Sequence, residues 1–196
     1  SANEEITVTV NEVNSPPVLT NPGNKNVKEG ELLGFTLFAT DPDSPANTLT
    51  FSISAGAQPG IALNASTGAF AWTPGEDQGP GPYQVTFTVT DNGMPPLSHS
   101  QTITITVDEV NRPPVLTSPG DHSGDEGVIL GFTLSAADPD IPANTLTFSI
   151  SNGTQPGMAL NSSTGAFSWT PSEAQGQGGG YPVTFRVTDN GTPPLS

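Results

Sequence analysis

The sequence predicts an all-β fold: two seven-stranded β-sandwiches in tandem. Three observations predict it. Apolar and polar residues alternate in short runs, as in Ile103-Thr104-Ile105-Thr106-Val107, and no stretch sustains a helical period. The 22 glycines and 21 prolines punctuate these runs instead of forming a low-complexity tract. The pattern is written twice: Pro16-Pro17-Val18-Leu19-Thr20 returns 97 residues later as Pro113-Pro114-Val115-Leu116-Thr117, and Trp72-Thr73-Pro74 as Trp169-Thr170-Pro171. A period of that length suits a whole small domain rather than a solenoid unit.

Seven strands per period follow in order. The first lies near Val18. The second spans 32–40, where Leu33, Phe35, Leu37 and Ala39 share one face, opposite Gly34, Thr36, Phe38 and Thr40. The third spans 48–54, with Leu49, Phe51 and Ile53 inward. The fourth, at 61–63, and the fifth, at 69–72, flank the turn Asn64-Ala65-Ser66-Thr67-Gly68. The sixth, 83–90, alternates Tyr83, Val85, Phe87 and Val89 with Gln84, Thr86, Thr88 and Thr90. The seventh spans 102–107. This number and length of strands suits an immunoglobulin-like sandwich, in which Tyr83 and Tyr181 either make a tyrosine corner or simply fill the core.

Proline pairs at 16–17 and 113–114 end a strand and stiffen the link. The expected division is a strand and linker over 1–14, one sandwich over 15–111 and a second over 112–196. Ser1–Ile6 aligns with Ser98–Ile103, and Pro193-Pro194-Leu195-Ser196 with Pro95-Pro96-Leu97-Ser98, so both ends fall at one phase of the repeat. The expectation is that strand 2–10 completes a preceding or neighbouring domain, and that the second sandwich takes its seventh strand from elsewhere. Identical units or neighbouring repeats are then the partners, in one long chain or by strand donation. The other reading of the two ends is an arbitrary boundary.

The net charge of −15, with only Lys25, Lys28, Arg112 and Arg186 on the basic side, argues against nucleic acid, whose phosphates would be repelled. Cysteine is absent, which removes disulfides and thiolate-metal sites. No apolar run is long enough to cross a bilayer. The acidic surface suits hard cations.

The carboxylates recur in fixed places. Asp41-Pro42-Asp43 and Asp138-Pro139-Asp140 follow the second strand; Asp91 and Asp189 follow the sixth. Glu29 precedes the second strand, Glu76 lies between the fifth and sixth, and Glu12-Val13-Asn14 and Glu109-Val110-Asn111 form the linkers. In a sandwich these fall at two opposite poles. Stacking two domains end to end would bring Glu29 and Glu76 toward Asp138, Asp140 and Asp189 around Glu109 and Asn111, with Asn144 adding a backbone carbonyl. Ca²⁺ takes six to eight oxygen ligands, which such a set can supply. The competing reading is that Asp and Asn form turns by bonding their own backbone.

These residues resemble the cadherin-like superfamily: the Asp-x-Asp after the second strand, the Asp after the sixth, the early Glu, and the linker Glu-x-Asn before proline. The run from Thr145-Leu146-Thr147-Phe148-Ser149 through Leu160-Asn161-Ser162-Ser163-Thr164-Gly165 to Trp169-Thr170-Pro171 and Val187-Thr188-Asp189 is similar to the putative-Ig and dystroglycan-type cadherin-like repeats of large microbial surface proteins. The resemblance implies inter-domain Ca²⁺ and a role in extracellular adhesins or fibres. The cadherin linker reads Asp-x-Asn-Asp-Asn before proline. Here Arg112 replaces the second Asp and one Asn is missing, and Ser15 stands at the equivalent place in the first linker. One or two ions per junction are expected.

His99 and His122 are read as solvated loop residues. No nucleophile-base set recurs, and carboxylates repeated in every period do not suit glycoside hydrolysis, so the chain is read as no enzyme. Trp72 and Trp169 either plug the cores or stack on sugar. The expected function is an extracellular, Ca²⁺-rigidified structural or adhesive repeat that forms a rod or filament. The alternative is a carbohydrate- or ligand-binding surface module that meets a cell-surface protein or glycan.

Overall fold

The computed structural model describes residues 3–177 and 179–196; Ala2, the start of the expected strand 2–10, lies outside them. The chain divides into two compact units, Ser1–Glu109 and Val110–Ser196. The first unit is built from β1 (Val18–Leu19), β2 (Lys25–Lys28), β3 (Leu33–Thr36), β4 (Ala39–Thr40), β5 (Thr50–Ala55), β6 (Ala62–Leu63), β7 (Ala69–Trp72), β8 (Gly81–Thr90) and β9 (Ser98–Asp108). One sheet runs β2-β9-β8-β5 and the other β3-β7-β6, while β1 pairs with β4. The β8–β9 ladder is antiparallel from Gly81↔Val107 to Thr90↔Ser98. The β2–β9 ladder is parallel and ends at Lys28↔Asp108.

Alternation decides which side chains meet between the sheets. Val85, Phe87 and Val89 of β8 and Ile103, Ile105 and Val107 of β9 are all buried, and their neighbours in sequence face outward. Burial of each such side chain is worth roughly 1.5–3 kcal/mol. Phe35 stacks on Phe70 with centroids 4.6 Å apart, and Phe87 meets both edge-on. Trp72 closes one end of this core, 1% exposed, and its indole N–H donates to the Pro59 carbonyl at 3.1 Å. The Tyr83 hydroxyl donates to the Gln78 carbonyl at 2.8 Å, and Tyr181 does the same to Gln175 at 2.9 Å. Both tyrosines therefore tie a corner as well as packing.

The second unit repeats the plan with β10 (Val115–Thr117), β11 (Leu130–Thr133), β12 (Ser135–Ala137), β13 (Thr147–Asn152), β14 (Ala159–Leu160), β15 (Ala166–Trp169), α1 (Glu173–Gly176) and β16 (Thr184–Thr188). Its sheets are β11-β15-β14, β13-β16 and β10-β12. Among the described residues β16 pairs with β13 alone, whereas β8 has a neighbour on each side. The connected cluster of buried apolar residues shrinks to Leu134, Phe148 and Val187.

Three local features differ from expectation. The strand read over 32–40 is two strands, β3 and β4, because the chain changes partners midway: Leu37 N–H donates to the Gly68 carbonyl, and Phe38 C=O accepts from Thr20. The facing pattern still holds, with Leu37 buried and Phe38 exposed. The sequence reading missed β2, since Lys25-Asn26-Val27-Lys28 has a single apolar residue and forms a strand only because β9 offers it an edge. His99 sits on β9, not in a loop, and its Nδ1 accepts the Leu19 N–H at 2.9 Å. His122 stacks on Phe132, centroids 4.1 Å apart.

Phe87→Ala is expected to destabilise the first unit by about 3–5 kcal/mol in urea unfolding. Leu32→Ala, at a site 71% exposed, is expected to stay within about 0.5 kcal/mol.

Candidate metal centres

Each unit gathers acidic and amide side chains where the second-strand and sixth-strand loops meet. In the second unit Asp138 follows β12 and Asp189 follows β16. Asp138 Oδ1 accepts the N–H groups of Asp140 and Asn144 at 3.2 and 3.0 Å. Asp189 Oδ1 accepts from Gly191 and Leu195 N–H and from the Asn111 amide, at 2.9–3.1 Å. These are turn-forming bonds, so that reading of the Asp residues holds for one oxygen of each. The other oxygens, Asp138 Oδ2 and Asp189 Oδ2, are buried with no hydrogen-bond partner among the described residues.

The remaining members tie this pair together. Both Asp140 oxygens accept the Arg112 N–H, at 3.1 and 3.2 Å, and Asp140 Oδ2 also takes the Asn144 amide at 2.7 Å. Asn144 donates as well to Asn111 Oδ1 at 2.9 Å. Asn111 spends its two donors on Asp189 and on the Pro193 carbonyl. Asn144 thus acts here through its amide, as a strut. Gly191 is required beside it: a Cβ there would stand 1.9 Å from Asn111 Oδ1.

The first unit repeats the arrangement with Asn14, Asp41, Asp43, Asn47 and Asp91. Asp41 Oδ1 accepts from Asp43 and Asn47, Asp91 Oδ1 from Gly93, Leu97 and Asn14, and Ser15 N–H reaches both oxygens of Asp43. Asp41 Oδ2 and Asp91 Oδ2 are the buried oxygens with no donor among the described residues. Asn47 was absent from the sequence-derived set. The offset of 97 from Asn144 was the signal that could have found it. Glu12 is exposed and is not brought to this group.

Burial pushes the Asp91 and Asp189 carboxyls up, but three hydrogen bonds to each outweigh it: Leu97 and Leu195 N–H, the Asn14 and Asn111 amides, and Gly93 and Gly191 N–H. Both carboxyls lie below their ordinary range and are ionised at neutral pH.

The first unit's opposite pole holds a second group. Ligand-capable atoms of Glu29, Glu76 and Glu109 lie within 4.8 Å of one another. Three elements place them: the loop after β2, a 3₁₀ turn at Glu76–Gln78, and the end of β9. Glu29 N–H donates to the Asp108 carbonyl at 3.1 Å, which holds Glu109 alongside. Their counterparts Glu126 and Glu173 in the second unit are both exposed. Hard oxygen donors of this kind, several of them buried and two of them, Asp91 and Asp189, ionised, fit Ca²⁺.

The chain matches the family described as Putative Ig domain over residues 16–108 and again over 113–194. It is 27% identical, over an alignment of 216 residues, to Cadherin-13 of Gallus gallus, covering 100% of this chain and 30% of that protein. It is 30% identical over 210 residues to Protocadherin Fat 4 of Mus musculus, covering 98% of this chain and 4% of that one. It is also 33% identical over 140 residues to Chitinase A of Pseudoalteromonas piscicida, covering 70% and 16%. The chain spans less than a third of each of these relatives. Among solved structures, Drosophila N-cadherin EC1-4 superposes with a TM-score of 0.63 at 19% identity, over 93% of this chain and 47% of that one. The protocadherin GammaB4 extracellular domain gives 0.58 at 21% identity, over 91% and 32%. Both likenesses show the sandwich fold.

Asn111→Ala is expected to lower the stability of the second unit by about 1–3 kcal/mol in chelator, since it strips donors from Asp189 and Pro193. Gly191→Ala is expected to act in the same direction. Urea unfolding of the two variants beside the parent checks both.

Proposed function

The chain belongs to the Putative Ig domain family, as a tandem of two cadherin-like β-sandwiches, and on that footing we propose an extracellular structural and adhesive repeat stiffened by Ca²⁺. The observation that carries the reading is the set of four buried aspartate oxygens, Oδ2 of Asp41, Asp91, Asp138 and Asp189. Each belongs to a carboxylate whose other oxygen is fully engaged in a turn. Buried polar atoms are almost always satisfied, and an ion is the partner that suits an ionised carboxylate. The proposed ligands are Asp138, Asp140 and Asp189 with Asn111 in the second unit, their counterparts Asp41, Asp43, Asp91 and Asn14 in the first, and the Glu29, Glu76 and Glu109 group.

Rigidity follows from the covalent chain. Glu109 ends one ligand set and Asn111 begins another, with only Val110 between them. Ions held on either side of so short a link restrict its torsions, and Pro113-Pro114 restricts it further. Repeats of this kind serve as spacers and adhesive segments at the cell surface, joined along one longer chain or as separate units into a filament. No helix among the described residues is long and apolar enough to cross a membrane.

The carbohydrate-binding alternative leaned on tryptophan faces. Trp72 and Trp169 are both buried, which withdraws them from a sugar. Catalysis forms no part of the reading.

A thermal melt in millimolar Ca²⁺ and in chelator tests it. A ligand that prefers the folded state, at about 100 times its Kd, adds about 2.7 kcal/mol. For domains of this size the midpoint is expected to rise on the order of 10 °C. The variant Asp41→Asn/Asp91→Asn/Asp138→Asn/Asp189→Asn keeps the turn-forming oxygens and is expected to lose the rise. Equal midpoints for the parent chain in Ca²⁺ and chelator would sink the proposal.

A further inference from the structure

Three Asn-Gly pairs stand in the chain: Asn92-Gly93, Asn152-Gly153 and Asn190-Gly191. Asparagine before glycine holds a reaction within itself. The glycine nitrogen can attack the side-chain amide carbon, and the glycine has no side chain to block the approach. The fold treats the three pairs differently.

In two of them both reacting groups are engaged elsewhere. Gly93 N–H donates to Asp91 Oδ1 at 3.0 Å, and Asn92 Oδ1 accepts the Thr48 N–H at 2.8 Å. Gly191 N–H donates to Asp189 Oδ1 at 3.0 Å, and Asn190 Oδ1 accepts the Thr145 N–H at 2.8 Å. The nitrogen must lose its proton before it attacks, and an ionised aspartate accepting that N–H opposes the loss. The amide, meanwhile, is tied to a different loop.

The third pair is arranged the other way. Asn152 ends β13 and is exposed, and its Oδ1 accepts the N–H of Gly153 itself at 2.9 Å. Nucleophile and amide therefore already meet. The glycine is fixed by the fold: its φ is +81°, and a Cβ would stand 2.0 Å from the Pro182 carbonyl oxygen. The first unit makes the same turn at Gly56, with φ +75° and a Cβ that would stand 1.8 Å from the Gln84 carbonyl oxygen, but Ala55 precedes it and has no amide. The turn enforces half of a reactive pair in both units, and the second unit supplies the other half.

We infer that Asn152 is a site of spontaneous modification, at which the folded chain converts this asparagine to aspartate and isoaspartate. The Gly153 N–H gives its proton to hydroxide, and the nitrogen bonds to Cγ of Asn152. The Cγ–Nδ2 bond breaks, and ammonia leaves with a proton taken from water. Water then opens the cyclic imide. Opening at the side-chain carbonyl gives aspartate; opening at the main-chain carbonyl routes the backbone through Cβ and gives isoaspartate. Either product adds a negative charge to a chain already at −15. Isoaspartate also lengthens the backbone by one atom where β13 is already irregular, between Ile150 and Asn152, and where Asn152 pairs with Thr184. With age the second unit acquires a charge and a backbone change at the end of β13 that the first unit is spared.

Peptide mapping by mass spectrometry, after incubation of the full chain at mildly alkaline pH, tests the inference. The peptide that holds residue 152 is expected to gain about 1 Da. Relative to the same sites in urea, Asn92 and Asn190 are expected to convert at least about tenfold more slowly than Asn152, since each must first break two hydrogen bonds, one of them to a charged acceptor. Asn152→Gln, whose ring closure is one atom larger, is expected to keep its mass at that peptide. Ala55→Asn is expected to create a second reactive site, in the first unit. Equal urea-corrected rates at the three sites of the folded chain, or an Ala55→Asn chain that stays unmodified at residue 55, overturn it.

Discussion

The first unit depends on one ladder, that between β8 and β9. Ten residue pairs run along it from Gly81↔Val107 to Thr90↔Ser98. It seals the core with Ile103, Ile105 and Val107, gives β2 an edge to form on, and delivers Glu109 to Glu29 and Glu76. Among the described residues of the second unit the connected buried core is Leu134, Phe148 and Val187, residues 122–125 form no strand, and Glu126 and Glu173 are exposed.

At the other pole the organising constraint is the division of labour within each aspartate. Oδ1 of Asp41, Asp91, Asp138 and Asp189 shapes a loop, and Oδ2 is left buried with no hydrogen-bond partner among the described residues. The turn-forming role that the sequence suggested accounts for one oxygen of each side chain, and the proposed cation would be held by the other.

Much of this was legible in the residues. Alternation located β5, β7, β8 and β9 because each has one buried face, and the repeat located β13, β15 and β16 as the second copies of β5, β7 and β8. The acidic positions were legible because they recur at loop ends. What escaped was set by tertiary pairing. β2 has too little apolar character to announce itself, the break at Leu37-Phe38 reflects a change of hydrogen-bonded partner, and His99 gained its place on β9 through the Leu19 N–H. The strut role of Asn144 depends on where its amide points, which spacing does not specify.

The parallel pairing of β2 with β9 has a mechanical consequence. The chain comes in through β1 and β2 and leaves through the end of β9, so tension on the two ends pulls these neighbouring strands along their length in opposite directions. Hydrogen bonds across a parallel pair loaded in that way share the force and yield together, instead of peeling one after another. A repeat wired like this resists stretching through its first and last strands, which is where a tether under flow is loaded.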